Sequence, residues 1–220
     1  MLANRTIIVT GANGALGRAV CEVAEDYGAT THRLDLQFEG RADNCHEIDL
    51  TDLDATTALV GKLGDFDGVF NLAGGFAMGT ETWARDDADW DRMFALNVTT
   101  MRHMVKAAVP HLLRRGAGNI VNVGAYGARE GLGDLSAYCA SKSVVMRLTE
   151  SLANELRAKG INVNAVLPTV IDTPANREGM PDADFSEWVN PADLANVICF
   201  LGSRAASAVH GALVPVRGLS

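Results

Sequence analysis

The 220-residue chain has few of the side chains that bind polyanions or build disulfide frameworks. Its 19 basic residues are outnumbered by 27 acidic ones, which gives a formal net charge of −8. A surface of that sign repels phosphate backbones and anionic lipid, so we expect neither nucleic acid nor a membrane as a partner. The four cysteines are scattered without a C-x-x-C pair, which favours free thiols in a reducing compartment over disulfides or a metal site. They are Cys21, Cys45, Cys139 and Cys199.

Long hydrophobic runs are also missing. The first residues, MLANRTIIVTG (1–11), enter a short apolar stretch with no basic region and no long apolar segment after it. We therefore expect no signal peptide and no membrane span, and a cytoplasmic protein. With 48% hydrophobic residues, a chain of this length is long enough for one well-buried core and short for two, so a single domain over 1–220 is predicted.

Short apolar runs rich in β-branched residues recur along the chain, and segments with helical spacing separate them. The runs are TIIVT (6–10), ATTHRLD (29–35), GVFNLA (68–73), NIVNV (119–123), INVNAVL (161–167) and ALVPV (212–216). Because their hydrophobicity is continuous rather than alternating, both faces of each strand are expected to be covered. The pattern predicts an α/β fold, a single-domain doubly wound parallel sheet of Rossmann type with helices on both faces.

Two long amphipathic patterns predict helices near the middle of the chain. An apolar stripe covers about 88–115, and Asn97 lies on the same face. A second stripe begins at Tyr138 and is expected to end at Gly160, a typical helix terminator.

The segment at about 174–190 is predicted to be a small lid over the substrate. It lies between Pro174 and Pro191 and contains Phe185 and Trp188. A loop of this length above the strand ends suits closure over a ligand and exclusion of water.

The stretch TIIVTGANGALGRAV (6–20) indicates a strand, a glycine-bearing turn and the start of a helix. Glycines at 11, 14 and 17 allow tight dihedral angles and a close approach of the backbone to a ligand, and the free N–H groups of the helix then face a pyrophosphate. No Gly-Lys-Ser/Thr follows the turn, which argues against a nucleoside-triphosphate loop.

Asp35 follows the turn by about 20 residues, at the end of the second predicted strand. A carboxylate there accepts hydrogen bonds from the adenosine ribose hydroxyls and repels a 2′-phosphate. NAD(H) is therefore the favoured cofactor, while the nearby Arg18 and Arg33 leave NADP(H) open.

Tyr138 and Lys142 are four residues apart, so on a helix they lie on one face. An ammonium near a phenol favours the phenolate, and we expect the pKa of Tyr138 to fall below its reference of ~10. Tyr138 would then serve as general acid or base, and Lys142 would also bind the nicotinamide ribose. Asn97 would connect to Lys142 through water, although a helix-bending or capping role also accounts for it.

Taken in order, these motifs resemble the short-chain dehydrogenase/reductase family over nearly the whole chain. The matching stretches are Thr10-Gly11 to Gly17, Asp49-Leu50, NLAG (71–74), Asn97, Tyr138-x-x-x-Lys142 and LPTVIDTP (167–174). The resemblance implies that Tyr138, Lys142 and Asn97 are catalytic. It implies cofactor contacts from Gly11, Asn13, Ala15, Leu16, Gly17, Asp35, Asp49, Leu50, Asn71, Ala73, Gly74, Val123, Tyr138, Lys142, Pro168, Ile171 and Thr173. It also implies a homodimer or homotetramer that pairs through the helices at 88–115 and 138–159.

The chain departs from the family pattern at one catalytic position. Members of the family have a serine 13 residues before the tyrosine, and position 125 here is alanine. Quinonoid dihydropteridine reductases are similar in this respect, with Gly-Ala as in Gly124-Ala125, and 165–188 resembles their nicotinamide loop and substrate lid. This resemblance implies a quinonoid dihydropteridine or a similar planar conjugated substrate, which needs mainly one proton from Tyr138. The residues expected near that substrate are Phe76, Ala125, Tyr126 and Trp188.

Two other functions remain open from the residues. An alcohol or ketone dehydrogenase would need a second hydrogen-bond donor for the developing alkoxide, supplied by Tyr126 or Ser136. A non-catalytic NAD-binding sensor or scaffold would explain the unusual residues Ala15, Ala125 and Thr169, although retention of the other catalytic residues argues against it.

Overall fold

In the computed structural model, which describes residues 1–38, 40 and 42–220, seven strands form one parallel sheet. The strands are β1 (Thr6–Thr10), β2 (Thr30–Asp35), β3 (Cys45–Glu47), β4 (Gly68–Asn71), β5 (Gly118–Val123), β6 (Ile161–Pro168) and β7 (Leu213–Val216). Their order across the sheet is β3-β2-β1-β4-β5-β6-β7, and every adjacent pair is parallel. The predicted doubly wound α/β fold is confirmed.

Helices cover the sheet on both faces. They are α1 (Ala15–Asp26), α2 (Leu53–Lys62), α3 (Asp87–Phe94), α4 (Thr100–Arg115), α5 (Ser136–Leu156), α6 (Pro174–Gly179) and α7 (Pro191–Leu201). One core joins α1 and α7 to the sheet through buried residues such as Val20 and Ile198. A second core joins α2, α4 and α5 to the opposite face through residues such as Val60, Met104 and Leu156. This burial on both faces accounts for the continuous apolar runs of the strands.

The predicted helix at 88–115 is interrupted by one π-helical turn. The turn spans Ala95–Thr99, between α3 and α4, and contains the buried Asn97. Such turns are rare and are often associated with functional sites. Trp90, one of the apolar residues that suggested the stripe at 88–115, is exposed and stacks on Phe94 with ring centroids 5.4 Å apart, so the prediction that it belongs to the buried face was wrong.

The helix predicted to begin at Tyr138 starts two residues earlier, at Ser136. It continues into a 3-10 turn at Arg157–Lys159 and ends at Gly160, which has a φ of 77°. That left-handed conformation suits glycine, so the position of the helix terminator matches the prediction.

No helix within the described ranges is both long and apolar enough to traverse a bilayer. All four cysteines are free.

Gly17 is expected to be essential for packing α1 against the preceding turn. A Cβ at this position would overlap the carbonyl oxygen of Gly11 and lie 2.7 Å from Cα of Ala12. We predict that Gly17→Ala lowers the free energy of unfolding by about 1–3 kcal/mol, as overpacking does. Gly61→Ala is the control, because Gly61 is in α2 with no atom near its Cβ position, and it should stabilise the helix by roughly 0.5–1 kcal/mol. Urea unfolding of both variants tests this, and a similar effect of the two substitutions would contradict it.

Candidate active site

Most of the predicted site residues lie where parallel strands end, at the carboxyl edge of the sheet. The glycine turn follows β1, Asp35 ends β2, Asn71 ends β4, Val123 ends β5 and Pro168 ends β6. Ligands of doubly wound sheets bind at this edge. The topology therefore collects residues that are far apart in sequence into one region.

The turn after β1 is held against the residues that follow β4. The hydroxyl of Thr10 accepts hydrogen bonds from the backbone N–H groups of Leu72 and Ala73, both at 3.1 Å. Gly11 has a φ of 65°, and a Cβ there would lie 2.8 Å from the nitrogen of Ala73. Thr10 was not predicted to have this role, although its place at the end of an apolar strand indicates a buried hydroxyl that needs partners.

Helix α1 begins at this turn without a side-chain cap. Gly14 is the N-cap and provides no side-chain acceptor, so the first N–H groups, on Ala15, Leu16 and Gly17, have no partner within the helix. Free N–H groups at a helix N-terminus bind phosphate. This end of α1 fits the pyrophosphate of a dinucleotide.

Asp35 lies directly beside the glycine turn. Its carboxylate accepts hydrogen bonds from the backbone N–H groups of Asn13 and Leu36, both at 2.8 Å. Arg33, which had left NADP(H) open, is paired with Glu25 at 2.8 and 2.9 Å. Arg18 donates to the carbonyl oxygen of Asn13 at 2.6 Å and remains near the turn.

Asp49 and Leu50, which the resemblance predicted to contact the cofactor, follow β3. Asp49 Oδ1 accepts from the N–H and the hydroxyl of Thr51 at 2.8 and 2.7 Å, and these bonds hold the pKa of Asp49 below its usual value. Leu50 is buried, and its carbonyl oxygen accepts from Nδ1 of His103 at 3.0 Å.

Asn97 uses its side-chain amide to hold Gly75 and helix α5. Its Oδ1 accepts from the N–H of Gly75 at 2.9 Å, and its Nδ2 donates to the carbonyl oxygen of Gly75 at 3.1 Å and to the hydroxyl of Ser141 at 3.0 Å. Ser141 in turn donates to the carbonyl oxygen of Tyr138 at 2.8 Å. These contacts make Asn97 a link between the strand-β4 loop and the first turns of α5. Ser141 was not among the predicted residues, although a serine beside Lys142 on a buried helix face is a signal for it.

Lys142 is a buried ammonium at the end of β5. Only 7% of the residue is exposed, and Nζ donates to the carbonyl oxygen of Val123 at 2.9 Å. Burial lowers the pKa of Lys142 to about 8. A Cβ on Gly74 would lie 2.6 Å from Oδ1 of Asn97 and 3.3 Å from Nζ of Lys142, so these two polar atoms meet at a glycine.

Tyr138 packs against Phe76, with ring centroids 4.9 Å apart in an edge-to-face arrangement. Burial, with a smaller contribution from Cys139, raises the pKa of Tyr138 to about 12. The expectation that Lys142 would lower this pKa was wrong, because desolvation of the phenol is the main influence on it and Lys142 does not shift it. The phenol is therefore protonated at neutral pH.

Ala125 is buried, with 4% of its surface exposed, and contributes no hydrogen-bond donor. Of the two candidate replacements, Tyr126 is occupied elsewhere. The guanidinium groups of Arg129 and Arg217 each lie 4.7 Å from its ring centroid, and Arg217 donates to its hydroxyl at 3.4 Å. Ser136 Oγ is buried and has no partner among the described residues.

The segment after β6 begins with Ile171 and Thr173, which were predicted to contact the cofactor. Ile171 forms a parallel bridge with Val189, which ties the two ends of the predicted lid together. Thr173 caps α6 by accepting from the N–H of Asn176 at 3.2 Å.

Within the predicted lid, a charged and an aromatic contact order the chain. Arg177 forms two hydrogen bonds with Asp172, at 2.5 and 2.7 Å, and its guanidinium lies 4.7 Å from the ring centroid of Phe185. Trp188 packs on Phe185 with ring centroids 4.8 Å apart. The segment has its own internal contacts rather than being an unstructured loop.

A buried polar chain that was not predicted runs beneath the site. Asn71 donates to Asn122 at 2.8 Å, and Asn122 donates to Thr149 at 2.9 Å. Two asparagines within otherwise apolar strands are the sequence signal for such a chain, because buried amides need partners.

No group of three or more histidine, cysteine, aspartate or glutamate side chains among the described residues is placed to hold a metal ion.

The sheet order, the uncapped helix at the glycine turn and the carboxylate beside it define a Rossmann-type dinucleotide-binding protein. The family model for short chain dehydrogenase matches residues 5–184. The chain belongs to the short-chain dehydrogenase/reductase family.

Known proteins resemble the chain over nearly its full length. The 2-(S)-hydroxypropyl-CoM dehydrogenase 3 of Xanthobacter autotrophicus is 30% identical, over 99% of this chain and 96% of that protein. A Beutenbergia cavernae protein described as an NAD(P)-dependent gluconate 5-dehydrogenase, solved with bound NADP, is 27% identical with a TM-score of 0.88, over 99% of this chain and 96% of that one. The 3-ketoacyl-(acyl-carrier-protein) reductase of Brucella melitensis, solved with NADH, is 26% identical with a TM-score of 0.88, over 99% of this chain and 98% of that one.

These relatives establish the type of reaction. The chain is an NAD(P)-dependent short-chain oxidoreductase, as the sequence predicted. Since one solved relative holds NADP and another NADH, the family does not distinguish between the two cofactors.

We predict that replacing the buried ammonium stabilises the protein in a pH-dependent way. The folded pKa of Lys142, about 8, is below its ordinary 10.5. Below the folded value the full cost of burying the charge is present, and this cost falls as pH rises toward the unfolded value. The stability of Lys142→Met relative to wild type should therefore decrease by about 2–3 kcal/mol between pH ~7 and pH ~10.

Urea unfolding at several pH values measures this difference. The exposed Lys106 is on α4, and Lys106→Met is the control, which should show no such trend. A stability difference for Lys142→Met that is constant across the pH range would contradict the prediction.

Proposed function

We propose that this enzyme uses NADH to reduce a quinonoid dihydropteridine or a similar planar conjugated substrate. The observation on which this rests is the alanine at 125, where the family has a serine hydroxyl. A ketone needs two donors for the developing alkoxide, and loss of one such donor costs about 3 kcal/mol of barrier. A conjugated imine accepts hydride readily and needs mainly one proton, so Ala125 is chemically coherent with it.

Tyr138 is the proton donor in this proposal. When bound, the nicotinamide cofactor supplies the hydride. Tyr138, protonated at neutral pH, gives its phenolic proton to the substrate nitrogen that gains electron density. Lys142 lies one helical turn away, and its ammonium would bind the nicotinamide ribose. Asn97 holds Gly75 and, through Ser141, the first turns of α5.

The aromatic residues near the site support a flat substrate. Phe76 is in contact with Tyr138, and 53% of its surface is exposed, which leaves much of the ring available to a ligand. Stacking of Phe76 on a planar ring would provide both binding energy and orientation. The lid at about 174–190, which contains Trp188, would cover the substrate and exclude water.

The contacts of Asp35 support NAD(H) as the preferred cofactor. Its carboxylate is fixed at the glycine turn, where it would meet a 2′-phosphate, and Arg33 is paired with Glu25. NADP(H) has only Arg18 near the turn as a possible cationic partner.

A second function is favoured by one observation. The buried hydroxyl of Ser136 has no partner among the described residues and lies two positions before Tyr138. In an alcohol or ketone dehydrogenase it would replace the serine hydroxyl, and the relative named for dehydrogenation of 2-(S)-hydroxypropyl-CoM supports that alternative.

The assembly and location proposed for the enzyme follow its family and composition. We propose a homodimer or homotetramer that pairs through the helical segments at 88–115 and 138–159, in the cytoplasm. The four free cysteines are consistent with a reducing compartment.

Stopped-flow oxidation of NADH with a panel of quinonoid pteridines, quinones and ketones tests the proposal. We expect rapid oxidation with the pteridine, loss of turnover in Tyr138→Phe with NADH affinity changed only a few-fold, and loss of both in Lys142→Ala. Ser136→Ala is the discriminating control. This substitution should leave pteridine reduction unchanged. If the enzyme instead reduces ketones with the help of Ser136, the substitution should slow ketone reduction by about 100-fold.

Preferred turnover of a ketone, with sensitivity to Ser136→Ala, would support the alcohol dehydrogenase instead. Binding of NADH without oxidation by any substrate in the panel would indicate a sensor.

The role of Asp35 predicts a change in cofactor preference. Asp35→Asn removes the charge but retains an oxygen that accepts from Asn13, so the turn should be preserved. The ratio of kcat/KM for NADPH to that for NADH should rise roughly fivefold or more, because a nearby unit charge contributes at least about 1 kcal/mol. Asp35→Ala should act in the same direction. Glu47 is in register with Asp35 on β3, and Glu47→Gln is the control. An equal change in that variant, or none in Asp35→Asn, would contradict the assignment.

A further inference from the structure

Two segments beside the candidate site are joined by one buried arginine. Residues 76–85 follow β4, residues 131–135 precede α5, and Arg85 lies between them. Its Nη2 donates to the carbonyl oxygens of Thr80 at 3.2 Å and Asp134 at 3.0 Å. Only 3% of the Arg85 side chain is exposed.

The burial of this arginine is not explained by an ion pair. Its nearest carboxylate, on Asp89, is 3.7 Å away and 44% exposed, and such surface pairs contribute little. Its Nε is buried with no partner among the described residues. The strong contacts of Arg85 are therefore the two carbonyl oxygens, one on each segment.

Asp134 is held in an unfavourable backbone conformation by these bonds. Its φ is 60°, which is uncommon for a residue other than glycine. Its carbonyl oxygen accepts from Arg85 and also from the N–H of Gly79 at 3.2 Å. We call Gly79, Thr80, Arg85 and Asp134 the Arg85 clasp.

The two segments that the Arg85 clasp joins lead to two rings that touch each other. On one side, Phe76 is three residues before Gly79. On the other, Asp134 is followed by Leu135, the N-cap of α5, and Tyr138 is in the first turn of that helix. Phe76 and Tyr138 meet edge to face at 4.9 Å. Both segments that hold these rings are therefore tied together at a second point, by the arginine.

We propose that Arg85 is a positioning residue that keeps Phe76 against Tyr138 by closing the Arg85 clasp. The inference rests on the proposed role of Tyr138 as proton donor. Arg85 acts through the two segments, and the planar guanidinium suits this role because one nitrogen reaches both carbonyl oxygens while the rest of the group stays rigid.

Arg92 provides a matched control. It is on α3, the helix that Arg85 precedes by two residues, and it contacts the same carboxylate, Asp89, at 3.3 Å. It is 54% exposed and has no contact with either carbonyl oxygen of the clasp. Arg92→Met therefore removes an equal charge seven residues away without opening the clasp.

Hydrogen–deuterium exchange tests the clasp without any assay of activity. Arg85→Met should accelerate exchange in peptides from 76–85 and 131–135 by roughly tenfold or more, and leave the glycine turn at 11–17 unchanged. Arg92→Met should match wild type in all three regions. Should Arg85→Met fail to fold, Arg85→Lys, which retains the charge but lacks the fork, should accelerate the same peptides to a smaller extent. Unchanged exchange in 76–85 and 131–135 would overturn the proposal.

A double-mutant cycle tests the link to catalysis, on the substrate that the wild-type enzyme turns over. Phe76→Ala and Arg85→Met should each lower kcat/KM for that substrate by about tenfold, with KM for NADH unchanged, and the double variant should be no worse than either single one. Additive losses would show that Arg85 does not act through Phe76 and would overturn this part. If no substrate in the panel supports NADH oxidation by the wild type, the proposed function fails. The exchange experiment still tests the Arg85 clasp in that case.

Discussion

The ammonium group of Lys142 is buried at the end of β5, where its Nζ donates to the carbonyl oxygen of Val123. Burying a charge is costly unless it is paired, and here the cost appears as a pKa lowered to about 8. The surrounding structure must hold Lys142 in place against its tendency to reach water. Helix α5 does so by packing its apolar residues against the sheet, and the rest of the site is arranged around this group.

The arrangement requires close approach of backbone segments. Gly74 has no room for a side chain between Asn97 and Lys142, and Gly11 has none beside Ala73. The π-helical turn at Ala95–Thr99 places the amide of Asn97 where it binds both Gly75 and Ser141. Thr10 fixes the same loop from the β1 side. Short polar contacts thus connect the loop after β4, the π-helical turn and helix α5. Such contacts hold catalytic side chains in a fixed geometry.

The sequence predicted the strands that are buried on both faces. It predicted less well the features that depend on single contacts. The six apolar runs became strands, but β3 was missed because Cys45–Glu47 is short and polar. The π-helical turn was missed because an inserted residue barely disturbs the apolar stripe on either side. Four-residue spacing put Tyr138 and Lys142 on one face, yet it did not reveal that burial of the phenol dominates its pKa. The arginines over Tyr126 could not be foreseen, since Arg217 is 91 residues away in sequence.

The raised pKa of Tyr138 also makes the two directions of a reaction unequal. A phenol that keeps its proton up to pH about 12 is ready to donate at physiological pH, with no preceding ionisation. The reverse process, oxidation, would begin with removal of that proton to a base, and at neutral pH only a minute fraction of molecules would be in the required form. With Tyr138 as the proton-transfer group, the rate of oxidation would therefore rise as the pH approaches the pKa of the phenol, while the equilibrium of the reaction would be unaffected by the enzyme.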